Sequence, residues 1–365
     1  MKMPTDVIRA EILQSGAIPF ARFMELALYC PETGYYETNK DNVGRCGDFI
    51  TSVSTGSLFG ELLAFQFAGW LGDFQVSNLK FQIIEAGAHD GKLAADILHW
   101  LEKFRPELFS EIEYTILEPS AVRQSWQKKT LENFSNVRWF TGVDDLKLKT
   151  QNSKLHGVIF GNELLDAFPV RRLGWDTKAK NWFEWGVALD DEKFTWAKIS
   201  PANLPSGLCH LPSSLLEVLP DNYTVEISPA AENWWREAAG ILTRGKLLAI
   251  DYGFNSDEQF SPARLNGTLR AYHRHHVSDD LLANVGEQDL TAHVNFSAIQ
   301  KVGEEAGLKT ENYCTQPQFL TRILQKAVTE KPFASLAAKQ IRQFQTLTHP
   351  EHLGRAFRVL VQSRA

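Results

Sequence analysis

Apolar residues recur at three-to-four spacing from about residue 5 to residue 30, through FARFMELAL, and predict helix. CPETGYY interrupts as a turn at Pro31 and Gly34. Residues 38–48 are polar and Gly-containing and read as loop, and a further helix is expected from about Ser57 to Leu71. The period then changes. FQIIEAG, YTILEPS, NVRWF and LHGVIFGN are short runs of strand character, and KLAADILHWLEKF and SAVRQSWQKKTLENF between them carry a helical stripe. Strands alternating with helices predict an α/β domain with a mostly parallel sheet.

From 171 to 200 the alternation breaks. RRLGWD, NWFEWGVAL and KFTWAKIS are Trp-rich alternating runs between polar turns, which predicts an inserted antiparallel β region. AAENWWREAAGIL is expected as helix, GKLLAIDYG as a core strand, and GTLRAYHRH as a strand within a loop-like stretch from 254 to 290. Helices follow at 295–307 and 317–345, and FRVLVQS closes the chain as a strand. The expected organisation is an N-terminal helical and loop segment over 1–75, then a domain over 76–365 with an insertion at 171–220 and a helical elaboration at 290–345.

The 365 residues suffice for one large domain with an insertion or for two, and 23 Phe, 10 Trp and 8 Tyr supply ample area to bury. A formal net charge of −6 with no basic block argues against a nucleic-acid partner. The most apolar stretch, LLAFQFAGWLG at 62–72, is too short to span a bilayer, so no membrane insertion is expected. Cys30, Cys46, Cys209 and Cys314 are far apart and form no CxxC pair. Neither a zinc site nor a disulfide scaffold is expected, and a reducing, cytoplasmic setting fits. The opening MKMPTDVIRAEILQSG, with early acids and no long apolar run, agrees with that placement.

Candidate chemistry begins at IIEAGAHDGKL, residues 83–93. A strand that ends in a glycine turn before a helix presents backbone N–H groups to an anionic or ribose-bearing cofactor. Glu118 ends the following strand, where an acid grips ribose hydroxyls in dinucleotide folds. A plain βα turn with Glu118 as a solvated acid is the competing reading. Asp90 is a candidate N-cap for KLAADIL.

FGNELLDAFPV, residues 160–170, places Asn162, Glu163 and Asp166 at the end of a later strand. Carboxylates there would hold a guanidinium by charge-assisted hydrogen bonds and help strip a proton from an attacking nitrogen. Alternatively, Asp166 caps a helix and Glu163 is exposed. GDFITS at 47–52 offers Asp48, Thr51 and Ser52 to a ribose or an amino-acid moiety, or caps the next helix. YHRHH at 272–276 puts His273 and His275 on one strand face without a carboxylate at ligand spacing, so no metal is expected, and His293 in DLTAH is read as structural. GxSxG, P-loop and HExxH patterns are missing from the sequence.

Taken in order, ALYCPETGYY, GDFITS, FGELLA, the strand-E-x-G loop, GNELLDAFPV, GTLRAYHRHH, GEQDLTAHVNF and GRAFRVLV resemble the MidA family, whose members include the mitochondrial complex I assembly-factor methyltransferases. The resemblance implies a class I S-adenosylmethionine (SAM) methyltransferase fold, a Rossmann-like sheet whose last strand inserts antiparallel. It implies methyl transfer to arginine of a protein substrate, in the mitochondrial members a subunit of NADH dehydrogenase. It places Glu85, Gly87 and Gly91 on the methionine-binding loop, with His89 expected beside the ribose or methionine moiety. Glu118 becomes the ribose acid, Asp48, Thr51 and Ser52 fall on the GDF-x-TS segment, and Asn162, Glu163 and Asp166 match NE-x-x-D near the methyl group. The chain departs from the family in having GAHDG for G-P-G-R-G and TSVSTG for TSPEIS. Two rival readings are a non-catalytic assembly factor that keeps the fold for partner binding and an NAD-dependent oxidoreductase.

Overall fold

The computed structural model describes the chain apart from residues 1–2, 39–50, 74–80, 151–154, 205–207, 209–210, 262–263, 274–275, 279 and 331–332. The chain divides into two units. Met1–Lys40, Asp166–Ala231 and Phe254–Asn295 form the first, and Asp41–Leu165, Glu232–Gly253 and Phe296–Ala365 the second. This differs from the expected boundary near residue 75, and side-chain packing explains why. The Trp-rich strands need an apolar partner, and the N-terminal helices supply it: Phe20 meets Trp196 at 5.2 Å between ring centroids and Phe23 meets Phe194 at 5.7 Å. The helix beyond residue 57 is apolar nearly all round, which suits the interior of the second unit.

In the first unit the stripe expected over 5–30 folds as two helices, Pro4–Ser15 and Phe20–Tyr29. Gly16, at φ +81°, caps the first, and Pro19 stands just ahead of the second, so the backbone turns between them. Arg171–Asp176, Asn181–Asp190 and Lys193–Ile199 form the expected antiparallel meander. Thr224–Ile227 adds an unforeseen fourth strand against Arg171–Gly174.

Among the described residues the main path of the second unit's sheet has seven strands: β1 Phe81–Ala86, β2 Ile112–Leu117, β3 Val137–Phe140, β4 Leu155–Asn162, β5 Leu242–Phe254, β6 Lys309–Thr315 and β7 Phe357–Arg364. Their order is β6-β7-β5-β4-β1-β2-β3. β1 to β5 are mutually parallel where they pair, and β7 inserts antiparallel between β5 and β6. This is the Rossmann-like sheet that the resemblance implies. Helices α1 Leu58–Gly72, α2 Lys92–Phe104, α3 Ala121–Thr130, α4 Gln316–Ala327 and α5 Ala338–Thr348 belong to the same unit. One core joins α1, α2 and α4 to the sheet through Phe67, Leu98, Phe160, Leu320 and Val359.

The chain runs from β1 outward to β2 and β3, then returns to β4 on the other side of β1. The loops that leave β1 and β4 therefore diverge from neighbouring strand ends. Ligands bind at such a switch point in open α/β sheets. The loop with Gly87 follows β1 and the loop with Glu163 follows β4, and register fixes their adjacency, since Ala86 pairs with Gly161.

Candidate functional site at the carboxyl edge of the sheet

The loop after β1 is short and tightly held. Gly87 N–H donates to Leu117 O at 3.1 Å and Gly91 N–H to Ala88 O at 2.7 Å. Gly87, His89 and Gly91 all take left-handed backbone, at φ +71°, +46° and +80°. A Cβ at Gly87 would stand 2.9 Å from Leu164, so the two loops pack directly. Gly91, rather than Asp90, occupies the N-cap of α2, yet Asp90 Oδ1 still accepts the Lys92 N–H at 3.0 Å. The acid thus serves the first turn from one residue farther out.

Glu85 is buried on β1 and accepts a 2.6 Å hydrogen bond from the Tyr114 hydroxyl of β2. Burial pushes its carboxyl up to about 8, against the pull of Tyr114 and with help from Asp90. Such a group is neutral without a ligand and gains charge when a cation is placed beside it.

Glu118, beyond β2, is 7% exposed. It accepts from Ser120 N–H and from Gln127 Nε2, each at 3.0 Å. Gln127 also donates to His89 O at 3.0 Å and accepts from Trp139 Nε1 at 3.1 Å, tying Glu118 to the first loop.

The His89 ring is turned toward α3. Its Nε2 lies 3.1 Å from Arg123 Nη1, and Trp126 meets it edge-on at 6.0 Å. A guanidinium only donates, so Nε2 is the acceptor and the proton of the neutral ring sits on Nδ1. Arg123 in turn lies 4.3 Å over the Trp126 ring.

The β4 end carries the other half of the site. Glu163 takes φ +51°, uncommon for a residue with a side chain, and its N–H donates to Ile250 O at 2.9 Å. Asp251, 1% exposed at the end of β5, pins the backbone after Glu163: its Oδ2 accepts the N–H groups of Leu164 and Leu165 at 3.1 and 2.8 Å. Glu163 Oε1 accepts from the Ser52 backbone N–H at 3.1 Å and from Asn162 Nδ2 at 3.2 Å. Glu163 Oε2 and Asn162 Oδ1 are buried and have no hydrogen-bond partner among the described residues. Although the residue as a whole is part-exposed, its carboxyl lies inside. Burial, reinforced by Asp251, pushes it up to about 8, while the Ser52 amide and Asn162 pull the other way.

The second unit therefore brings together Glu85, Gly87, His89, Gly91, Glu118, Asn162, Glu163, Thr51 and Ser52 on the loops at one sheet edge or on the turn beside Glu163. Thr51 and Ser52 differ from expectation in how they act. The Thr51 hydroxyl accepts from Ser54 N–H at 3.1 Å, and the Ser52 hydroxyl meets Gln316 Oε1 at 3.2 Å. Both side chains are spent on their own turn and its support, and the backbone amide of Ser52 reaches the site. Asp166 is the first residue of the other unit, where its carbonyl accepts from Ala292 N–H at 3.0 Å. Asp48, Cys46, Cys209 and His275 lie outside the described residues. Sequence reasoning missed Asp251, Gln127 and Tyr114. Only Asp251 carried a signal, as an acid at a core-strand end. Among the described residues no three His, Cys, Asp or Glu side chains group as metal ligands, and no helix is long and apolar enough to cross a membrane.

The donor set suits SAM. Glu85, Glu118 and the Glu163 carboxyl are buried at this sheet edge, carboxyls suit a cationic cofactor that carries a diol, and two buried acceptors at β4 lack partners among the described residues. The comparisons with known proteins agree. The model of an S-adenosyl-L-methionine-dependent methyltransferase family matches residues 62–314. The chain is 26% identical to the protein arginine methyltransferase NDUFAF7 homolog, mitochondrial, of Drosophila melanogaster, over 97% of this chain and 83% of that one. It is 24% identical to the human protein arginine methyltransferase NDUFAF7, mitochondrial, over 95% and 80%. A Burkholderia thailandensis protein crystallised with S-adenosyl-homocysteine superposes with a TM-score of 0.83 at 32% identity, covering 99% of this chain and 92% of that one.

These relatives correct one expectation. Those from Drosophila and human are named mitochondrial, so the cytoplasmic placement does not stand. Isolated cysteines report a reducing milieu and do not say which compartment supplies it. A family match across more than half of the chain, joined to a shared fold at 32% identity, makes this chain a member of the S-adenosyl-L-methionine-dependent methyltransferase family.

Proposed function

We propose that this chain transfers the methyl group of SAM to a guanidino nitrogen of an arginine in a protein substrate. The observation that carries the reading is the Glu163 carboxyl, with one oxygen held by Ser52 and Asn162 and the other buried without a partner among the described residues. A carboxylate so aimed suits a guanidinium, whose planar fork of donors it accepts. The names of the Drosophila and human relatives support the same acceptor. Resemblance to the mitochondrial members makes a subunit of the respiratory NADH dehydrogenase the candidate substrate.

Bound SAM supplies an electrophilic methyl on a sulfonium centre. The residues of this chain bind and position. Glu118 would accept the ribose hydroxyls, and the Gly87–Gly91 turn would bring backbone close to the cofactor. Glu85 would gain charge with a cation beside it. Glu163 and Asn162 would orient the guanidinium for attack on the methyl carbon, the nitrogen–carbon bond forming as the carbon–sulfur bond breaks, and Glu163 would take the proton that the nitrogen gives up, with S-adenosylhomocysteine as the other product. Holding two reactants in line is worth several kcal/mol of barrier.

Glu163→Gln tests the assignment, because it keeps the shape and removes the charge. Methyl transfer should fall by about 10²–10⁴-fold while SAM affinity by calorimetry is retained. Equal loss of SAM binding would remove Glu163 from this role. Mass spectrometry of arginine methylation in cells with and without the protein identifies the substrate, and no differing site would exclude arginine as the acceptor.

A further inference from the structure

Two stretches that methyl transfer leaves unused, GTLRAYH and DLTAH, meet within the first unit. Thr268 and Arg270 from one and His293 from the other line an open cleft of about 480 Å³ that also admits Ser261 and Arg264. The floor is built on buried groups. Glu226 Oε2 accepts the Thr268 N–H at 2.7 Å, its Oε1 accepts from Arg172 Nε at 3.3 Å, and Arg172 Nη2 donates to Asn266 O at 2.8 Å. Gly267, at φ +78°, is required there, since a Cβ would overlap the Glu226 carboxylate. The His293 N–H donates to Thr268 Oγ1 at 3.0 Å and joins the second stretch to the first.

Two guanidiniums open onto this cleft. Arg264 lies 4.6 Å over the Phe254 ring and donates to Glu258 O. Arg270 is exposed and donates to Leu269 O at 2.8 Å. Neither has a carboxylate within 4.0 Å among the described residues. Asp257 and Glu258 line the same cleft, exposed on the four-residue helix Ser256–Gln259, and their carboxylates form no ion pair with either guanidinium. An arginine held by a ring face and a single carbonyl keeps most of its fork for an incoming oxyanion.

We propose that this cleft binds an acidic side chain of the polypeptide substrate, its carboxylate received by Arg264 and Arg270 beside the hydroxyls of Ser261 and Thr268. Asp257 and Glu258 repel polyanions and favour a basic neighbour next to the bound acid. The proposal rests on the reading that the methyl acceptor is a protein, and it adds a site on the first unit that recognises an acidic residue of that protein.

The test uses the full chain with isotope-labelled arginine and two blocked peptides, acetyl-Gly-Glu-Lys-Gly-amide and its Gln counterpart. The Nε resonances of Arg264 and Arg270 should shift saturably with the Glu peptide and bind the Gln peptide roughly tenfold more weakly or worse. The shifts should vanish in Arg264→Gln and in Arg270→Gln. Since Arg270 is exposed, its variant keeps the test intact if the other fails to fold. Equal binding of both peptides, or shifts that survive both substitutions, overturns the proposal. Glu163→Gln should leave the peptide shifts unchanged, so loss of methyl transfer and loss of this site are read separately.

Discussion

The backbone N–H of Ser52 donates to Glu163 Oε1 at 3.1 Å, joining residues 111 positions apart in the chain. The bond orients the one carboxyl on which the proposed chemistry depends. Ser52 has φ −56°, which a proline ring accepts, so Ser52→Pro removes this donor with little strain of its own. A hydrogen bond to a charged group is worth about 1.5–3 kcal/mol, so kcat should fall by roughly 10–100-fold with SAM affinity unchanged. Ser52→Ala removes only the hydroxyl contact to Gln316 and should stay within about threefold of the parent. If the alanine and proline variants lose activity equally, the amide is not the active part.

The pH profile depends on the same carboxyl. Glu163 sits at about 8 in the ligand-free protein, and guanidinium binding needs it ionised. Because kcat/KM reports the free enzyme, it should rise with pH, reach half of its plateau near 8 and level off about a unit above that. Ser52→Pro removes a bond that favours the ionised form, so its rising limb should shift to higher pH. A limb at the ordinary carboxylate range would show that another group governs the profile.

Much of the second unit was legible in the sequence because its strands are apolar runs buried on both faces and its helices carry plain stripes. β6, KTENYCT, was not, since only Cys314 is fully buried in it and its polar positions match no core pattern. The single helix expected over 317–345 is two, and the first opens at Thr315, whose side chain and that of Gln318 cap each other's backbone. At the site, Glu163 and Glu118 stood out as acids at strand ends. The part of Ser52 that matters is a backbone amide, which residue type does not reveal. Asp251 acts on the N–H groups of Leu164 and Leu165, a pairing that comes from strand order and not from spacing.

Glu85 makes stability depend on pH. Its folded carboxyl is raised to about 8 from an ordinary 4.5, so the folded chain holds a proton that the unfolded chain releases. The contribution of Glu85 to the stability of the ligand-free protein is therefore fully present below about 4.5 and is lost as pH rises through about 8. Glu163 adds to the same trend. Glu85→Gln keeps an acceptor for Tyr114 and cannot ionise, so it should flatten the slope and raise the melting temperature at pH 8 but not at pH 5, as scanning calorimetry across that range would read. SAM, as a cation, should stabilise the parent increasingly as pH rises.

The departure GAHDG is tested by two substitutions in the same loop. Gly87→Ala places a side chain at φ +71° and 2.9 Å from Leu164, the neighbour of Glu163. Left-handed backbone alone costs an L-residue about 1–2 kcal/mol, and displaced Leu164 disturbs the β4 loop as well. Denaturant unfolding should show that loss, and calorimetry should show weakened S-adenosylhomocysteine binding. His89→Gly relieves strain at φ +46° but gives up the contacts to Arg123 and Trp126. The two effects oppose each other, so stability should change little. The ring is committed to α3, so affinity for S-adenosylhomocysteine should stay within several-fold. Tightening by orders of magnitude in His89→Gly would instead mean that the histidine obstructs the cofactor and that the loop is a weakened form of the glycine-rich turn.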